Sequence, residues 1–198
     1  YGVEIRYETE ATSAMIEELR PQIVILATGA KPFLLPIEGK ETMVLANDVL
    51  NGDVNIPSGN VAIIGGGMVG METAEYILHH ARGNASVTLI EMMDTIGQGM
   101  VPNNLVPTMK RFKQEGVQMI TSAKVKSIQE GTITVETKQG EIQYSGFTHV
   151  ICAVGSTSWN PLYEEVKDKQ ETFVIGDANG VAQALEAVRA AYELGYKL

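Results

Sequence analysis

Residues 61–76 read VAIIGGGMVGMETAEY. Val61-Ala62-Ile63-Ile64 is apolar at every position and mostly β-branched, the composition of a strand buried on both faces of a parallel sheet. Three glycines follow, and from about Gly67 to Ala81 the pattern predicts a helix. Gly65-Gly66-Gly67-Met68-Val69-Gly70 is therefore a G-x-G-x-x-G placed between a strand and a helix. In that setting Gly65 makes a tight turn, Gly67 leaves room for a pyrophosphate to approach the backbone, and Gly70 allows close helix–strand packing. The helix N-terminus offers N–H groups and a partial positive charge to phosphates, so no lysine is required. A P-loop is excluded, since the spacing differs and no Gly-Lys-Ser/Thr follows. A glycine turn used only for packing is the competing reading, and the strand–turn–helix context weighs against it.

Beyond that helix, ARGNAS (81–86) predicts a polar loop, longer than a compact turn, and Val87–Ile90 a second buried strand ending in Glu91. This completes a βαβ unit. An acid at the end of the second strand is placed to accept from adenine-ribose hydroxyls. The following MMDTIGQG (92–99) holds no Arg or Lys to compensate a 2′-phosphate, so the pattern favours NAD(H) over NADP(H). The spacing from Gly65 exceeds the usual ~20 residues, and a solvated strand-end acid is the alternative. Glu72 is expected in the first helical turn. There either the helix dipole alone accounts for it or it lies beside a nicotinamide ring. His79 and His80 read as helix-end residues and His149 as a strand-edge residue. No nucleophile–base pair can be assembled, and Cys152, amid apolar strand residues, reads as inert.

Around this unit, residues 3–8 (VEIRYE) alternate like a strand, and 11–20 put Ala11, Met15, Ile16 and Leu19 on one helical face before Pro21. Ile23–Leu26 predicts a strand buried on both faces, ended by Gly29 and Pro32, and Ala46–Leu50 a short helix. The turn-rich NGDVNIPSGN (51–60) predicts a domain border. Leu105–Glu115 reads as helix and Val117–Ile120 as a third strand. KVKSIQ, TITVETK and EIQY, broken by Gly131 and Gly140, form an antiparallel meander. HVICAVG returns to a buried strand, TFVIGDA is another, and a helix spans about Gly180 to Leu194, stopped by Gly195. PQIVILATGA (21–30) and FTHVICAVGS (147–156) both carry an apolar strand to an Ala-x-Gly turn, as if one nucleotide-fold unit were inserted in another.

The chain has 198 residues, enough to bury a sizeable core, with 44% hydrophobic and 20% charged residues, so disorder and fibrous repeats are excluded. Fifteen basic against 24 acidic residues, net −9, argue against nucleic-acid and anionic-membrane partners. One cysteine allows no internal disulfide or multi-cysteine metal site and fits a reduced, cytoplasmic setting; no metal ligands are assigned. No apolar run approaches the ~18 residues of a membrane span, and the charged first residues do not read as a signal peptide. The chain starts without Met, which reads as a piece of something longer.

Four ordered motifs, ATGAKP (27–32), AIIGGGMVGMETAEY (62–76), VICAVGSTSWNPL (150–162) and FVIGDANG (173–180), resemble the flavoproteins with two dinucleotide-binding domains. The resemblance is nearest to the C-terminal part of the NADH:flavin oxidoreductases that include 2,4-dienoyl-CoA reductase, 2-enoate reductase and trimethylamine dehydrogenase. It implies an α/β fold: an NAD(H)-binding Rossmann-type domain with an antiparallel meander, at 55–155, between two segments of a partial FAD-type domain, 1–54 and 156–198. It further implies that Thr28-Gly29 turns near the flavin nucleotide and that Gly176-Asp177 faces the FAD pyrophosphate and ribitol. Glu72 would match the acid near the nicotinamide, and Val154-Gly155 the turn where the domains meet. The disulfide-reductase branch needs a cysteine pair that this chain lacks. The family's first FAD glycine motif, and the N-terminal barrel with FMN and an iron–sulfur cluster, would belong to a preceding portion of the same polypeptide. The expectation is an oxidoreductase portion that positions NADH for hydride transfer to FAD and onward electron transfer, with homo-oligomerisation open. Alone, the chain should not retain FAD or turn over. A non-catalytic ADP-type module is the alternative. A methyltransferase fold is disfavoured by the GDA motif and the second Ala-x-Gly strand.

Overall fold

The stretch at 61–64 forms the C-terminal four residues of a strand, as its unbroken apolar run requires, and that strand lies third in a five-stranded sheet. The computed structural model describes residues 2–198. Its first element is helix α1 (Ser13–Leu19), capped by the Thr12 hydroxyl, which accepts from the Met15 N–H, and ended by Arg20 at φ 48°. Next come strands β1 (Ile23–Leu26), β2 (Ala30–Pro32) and β3 (Met43–Leu45), helix α2 (Ala46–Leu50), strand β4 (Gly59–Ile64) and helix α3 (Met68–Ala81). They lead to strand β5 (Ala85–Ile90), helix α4 (Pro102–Gln114) and strands β6 (Gln118–Ile120), β7 (Lys124–Gln129), β8 (Thr132–Thr137), β9 (Gly140–Tyr144), β10 (His149–Cys152) and β11 (Ser156–Ser158). Helix α5 (Tyr163–Val166), strand β12 (Glu171–Val174) and helix α6 (Ala184–Lys197) complete the chain.

Contacts divide it into two units, one of residues 32–155 and one of residues up to 31 together with 156–198. In the first, five parallel strands lie in the order β3-β10-β4-β5-β6. Alternation on β4 sends Val61 and Ile63 to one face, into a core with Val49, Met71, Ala74, Ile77 and Phe112 from α2, α3 and α4. Ala62 and Ile64 face the other way and meet Val125, Ile128, Ile133 and Val135 of the β7-β8-β9 meander. Both faces of the parallel sheet are thus covered, the condition under which such strands can be apolar throughout.

The compact unit of residues 32–155 begins ahead of the turn-rich stretch at 51–60. The reason is β3, a three-residue strand with no signature of its own, which pairs with β10 through Met43–Val150 and Leu45–Cys152 and so binds residues 32–54 to the sheet.

The other unit is thinner. β1 and β12 form a two-stranded parallel pair over a core of Ile16, Val24, Leu26 and Val166. A second two-stranded ladder joins β2 and β11. Ile25 is 46% exposed, so β1 is covered on one face and not on the expected two. Of the four apolar residues expected to share a helical face, Ala11 precedes α1 and only Ile16 is buried.

Three other expectations are corrected. Residues 3–8 form no strand, and Val3, Ile5 and Tyr7 are exposed. Alternation supplies a face to bury, but a strand also needs a neighbouring edge for its N–H and C=O groups. The 81–86 loop shrinks to Arg82–Asn84, because Ala81 still belongs to α3 and Ala85 already to β5; Arg82 and Gly83 turn the chain at φ 48° and 83°. Finally, α6 runs through Gly195 to Lys197, since a glycine stops a helix only where the backbone turns left-handed, and here it does not.

Candidate functional site

The parallel strands end together at Ile64, Ile90, Ile120 and Cys152. From β4 the chain passes to β5 on one side, while β10 lies on the other, so the winding reverses between β4 and β10. Ligand crevices in open α/β sheets form outside the carboxyl ends of the strands at such a reversal. A cavity of about 820 Å³ opens there, lined by Ile64, Gly65, Gly67, Met68, Val69, Ile90, Glu91, Ala153, Val154 and Gly155, with Phe33, Leu35, Ile37 and Val125 on its apolar walls.

The three motif glycines have different physical duties. Gly65 sits at φ 104°, and a Cβ there would lie 2.4 Å from the Ala153 carbonyl oxygen. A Cβ on Gly70 would lie 1.9 Å from the Gly65 carbonyl oxygen, so α3 can approach the end of β4 only without a side chain. Gly67 is unstrained at φ −74°, and the nearest atom to its Cβ position is the Gln98 oxygen at 4.0 Å. The space beside Gly67 is open to the cavity. Gly67 is also the N-cap of α3, with no side-chain cap, so that the helix start is left to whatever enters the cavity. These are the features a pyrophosphate needs, and the residues present fit a dinucleotide.

Gly66 does not line the cavity; it shapes it. Its N–H donates to Glu91 Oε2 at 2.6 Å and its carbonyl accepts from the Gly97 N–H at 2.7 Å. The other Glu91 oxygen accepts from the Met93 N–H at 2.8 Å. Two backbone donors thereby hold a half-buried carboxylate at the cavity wall, and a carboxylate with about four lone-pair sites keeps acceptor capacity for hydroxyls.

Glu72 is placed differently from its expectation. Helix α3 has no acid in its first turn, and Glu72 stands exposed in the second, away from the cavity lining. His79 and His80 close the last turn, His80 stacked on Tyr76 at 3.9 Å. His149 opens β10 beside the Thr148 hydroxyl, at 2.9 Å. Cys152 is buried, its thiol 3.5 Å from the Phe33 carbonyl.

The remaining four candidates belong to the other unit. The Thr28 hydroxyl donates to the Trp159 carbonyl, and Gly29, at φ 79°, accepts from the Trp159 N–H at 3.0 Å. Gly176, at φ 61°, opens a 3-10 turn in which the Asp177 carboxylate accepts from the Ala182 N–H at 3.2 Å.

Two basic residues escaped the sequence reading. Lys124 and Lys126 line the same cavity as Glu91. Their proximity comes from a ladder-like crossing in which the Ala123 N–H donates to the Glu91 carbonyl at 2.9 Å and the Ser122 N–H to that of Met93 at 2.7 Å. The K-V-K alternation marks a strand, but nothing local says which loop it borders.

Over residues 6–191 the chain matches the pyridine nucleotide-disulphide oxidoreductase family. It belongs to that family. The resemblance carried by the four motifs thus holds at family level, and the α/β fold with it. The chain is 34% identical to an NADH oxidase of Thermoanaerobacter brockii over all of its own length and 31% of that protein's. It is 33% identical to a cinnamate reductase of Clostridium sporogenes, over 98% of itself and 29% of the relative. A solved 2-naphthoyl-CoA reductase complex superposes with a TM-score of 0.86 at 27% identity, covering all of this chain and 30% of that one. The family member described here therefore spans about a third of the length of the relatives it matches. Among its described residues, no helix is long and apolar enough to cross a membrane.

Proposed function

We propose that residues 32–155 bind NADH as part of a flavin-dependent oxidoreductase and present it for hydride transfer to FAD. The observation that carries this reading is the open space beside Gly67 at the uncapped start of α3, on the cavity at the sheet's reversal point. Gly65, Gly67, Met68 and Val69 would cradle the pyrophosphate, Glu91 would accept from the adenine ribose, and Val154-Gly155 would border the nicotinamide half. Bound nicotinamide supplies the hydride; the chain supplies position and field, and none of its side chains is assigned as acid or base. Thr28, Gly29, Gly176 and Asp177 would contact FAD, held together with a further portion of the polypeptide. FMN and an iron–sulfur cluster would lie elsewhere in such a protein, and a cytoplasmic setting and onward electron transfer follow from the same reading.

Calorimetric titration of this chain with NADH, ADP-ribose and ADP tests the proposal. NADH binding more tightly than ADP-ribose supports a nicotinamide site. Equal affinity for all three would replace it with an adenine-nucleotide module, which Glu91 and the glycines serve equally well. No NADH binding at all removes the reading.

A further inference from the structure

Along the chain from Glu91, no cation occurs as far as Gly99. The fold brings one from elsewhere. Lys124, the first residue of β7, follows directly on Ala123, whose N–H is bonded to the Glu91 carbonyl at 2.9 Å, and both Lys124 and Glu91 line the cavity. The other charges there are engaged. Lys126 pairs with Glu136 at 3.6 Å, Glu38 accepts from the Gln129 amide at 2.8 Å, and Glu91 holds two backbone N–H groups. Glu136 lies opposite Lys124 in the β7–β8 register, yet it is Lys126 that reaches it. Among the described residues, Lys124 is the cavity's cation without an ion-pair or side-chain hydrogen-bond partner.

We propose that Lys124 and Glu91 act as an opposed pair that sets the selectivity between dinucleotides with and without a 2′-phosphate. Glu91 favours a ribose that donates from its 2′-hydroxyl, and Lys124 supplies the cation that a 2′-phosphate requires. A phosphate at the ribose would face a carboxylate held in place by two N–H groups and an ammonium free to turn toward it. Lysine suits that task as a flexible point charge on a four-carbon stem. The consequence is a graded preference for NADH in place of absolute exclusion of NADPH, and Lys124 is a specificity-determining residue for the cofactor. This rests on the NADH-binding reading above and extends it to a residue outside the βαβ unit.

The test compares the ratio of dissociation constants, Kd(NADPH)/Kd(NADH), in the unaltered chain, Lys124→Met, Lys124→Arg and Glu91→Gln, and repeats it with 2′,5′-ADP against 5′-AMP. Because Lys124 is exposed, the Met and Arg variants should fold normally, as circular dichroism would show. Lys124→Met should raise the ratio about three- to tenfold, the range of one solvent-accessible charge-assisted phosphate contact. Lys124→Arg should restore it, Glu91→Gln should lower it, and 0.5 M salt should shrink the lysine effect. An unchanged ratio in Lys124→Met, for both ligand pairs, overturns the proposal while leaving NADH binding intact. Failure of the unaltered chain to bind NADH, with the 2′,5′-ADP ratio still responding to Lys124, would instead sink the nicotinamide reading and keep this one.

Discussion

Helices α3 and α6 have the same length, 14 residues, and opposite fates. Helix α3 buries Gly70, Met71, Thr73, Ala74, Ile77 and Ala81, whereas no residue of α6 is buried. Yet α6 carries the clearer apolar stripe: Leu185, Val188, Tyr192 and Tyr196 recur at helical spacing and are 63%, 66%, 73% and 84% exposed. The contrast extends to the sheets. The five parallel strands of residues 32–155 are covered on both faces, and the β1–β12 pair in the other unit is left half open. Amphipathic periodicity states which face of a helix can be buried; whether it is depends on what is brought against it. One unit carries its own cover, and the other presents apolar surface for which the described residues provide none.

The largest expected effects sharpen that contrast. Phe112 is fully buried, and Phe112→Ala should cost about 3–5 kcal/mol of stability in urea unfolding. Tyr192→Ala should change it by about 0.5 kcal/mol or less. A comparable loss for Tyr192 would mean that the α6 face is covered in solution, by self-association for example, and sedimentation at several concentrations would reveal it.

Two glycines of one motif should separate folding from binding. Gly70→Ala forces a Cβ to 1.9 Å from the Gly65 carbonyl, so it should cost on the order of 1–3 kcal/mol and disturb the turn. Gly67→Val has an unstrained φ and open space, so it should leave the unfolding curve nearly in place while removing dinucleotide binding by filling the cradle. A folded Gly67→Val chain that still binds NADH would place the phosphates elsewhere.

NADH should bind more tightly than NADPH in fluorescence titration, by about tenfold, because Glu91 repels a 2′-phosphate at a partly desolvated wall. Equal affinity would withdraw that role from Glu91. The thinner unit should show its weakness toward flavin: FAD added to this chain should bind weakly and be lost on gel filtration. There, Thr28-Gly29 leads into β2 and not into a helix with an open N-terminus. A stoichiometric yellow complex would contradict this.

The smallest effect is expected at the thin unit's surface. Lys169 is ion-paired to Glu17 of α1, and its ammonium is held above the ordinary lysine value of 10.5, chiefly by that hydrogen bond. The stabilisation is complete below pH 10.5 and lost as pH rises through the raised value. Both groups are about half exposed, so Lys169→Met should shift the neutral-pH Tm little, and the difference from the unaltered chain should vanish at higher pH.

The glycine motif was legible because each of its demands is local: a turn at φ 104°, a helix start without a cap, a strand apolar on both sides. The βαβ order, the meander and the short α2 follow from periodicity and turn chemistry in the same way, and Glu91 from its place at a strand end. What adjacency in space decides was not legible. The three residues of β3 take their identity from pairing with β10, which ties them to the same compact unit as the parallel sheet. Lys124 reaches the cavity only because Ala123 is bonded to Glu91. Among the described residues, 3–8 alternate but pair with no strand, and Glu72 falls in the second turn because α3 starts at Met68. Residue type and spacing determine what a segment can become, because dihedral preferences and side-chain periodicity are properties of a few neighbouring residues. Which partner it meets is decided by long-range pairing, since hydrogen bonds and burial are completed only by atoms that the local sequence does not contain.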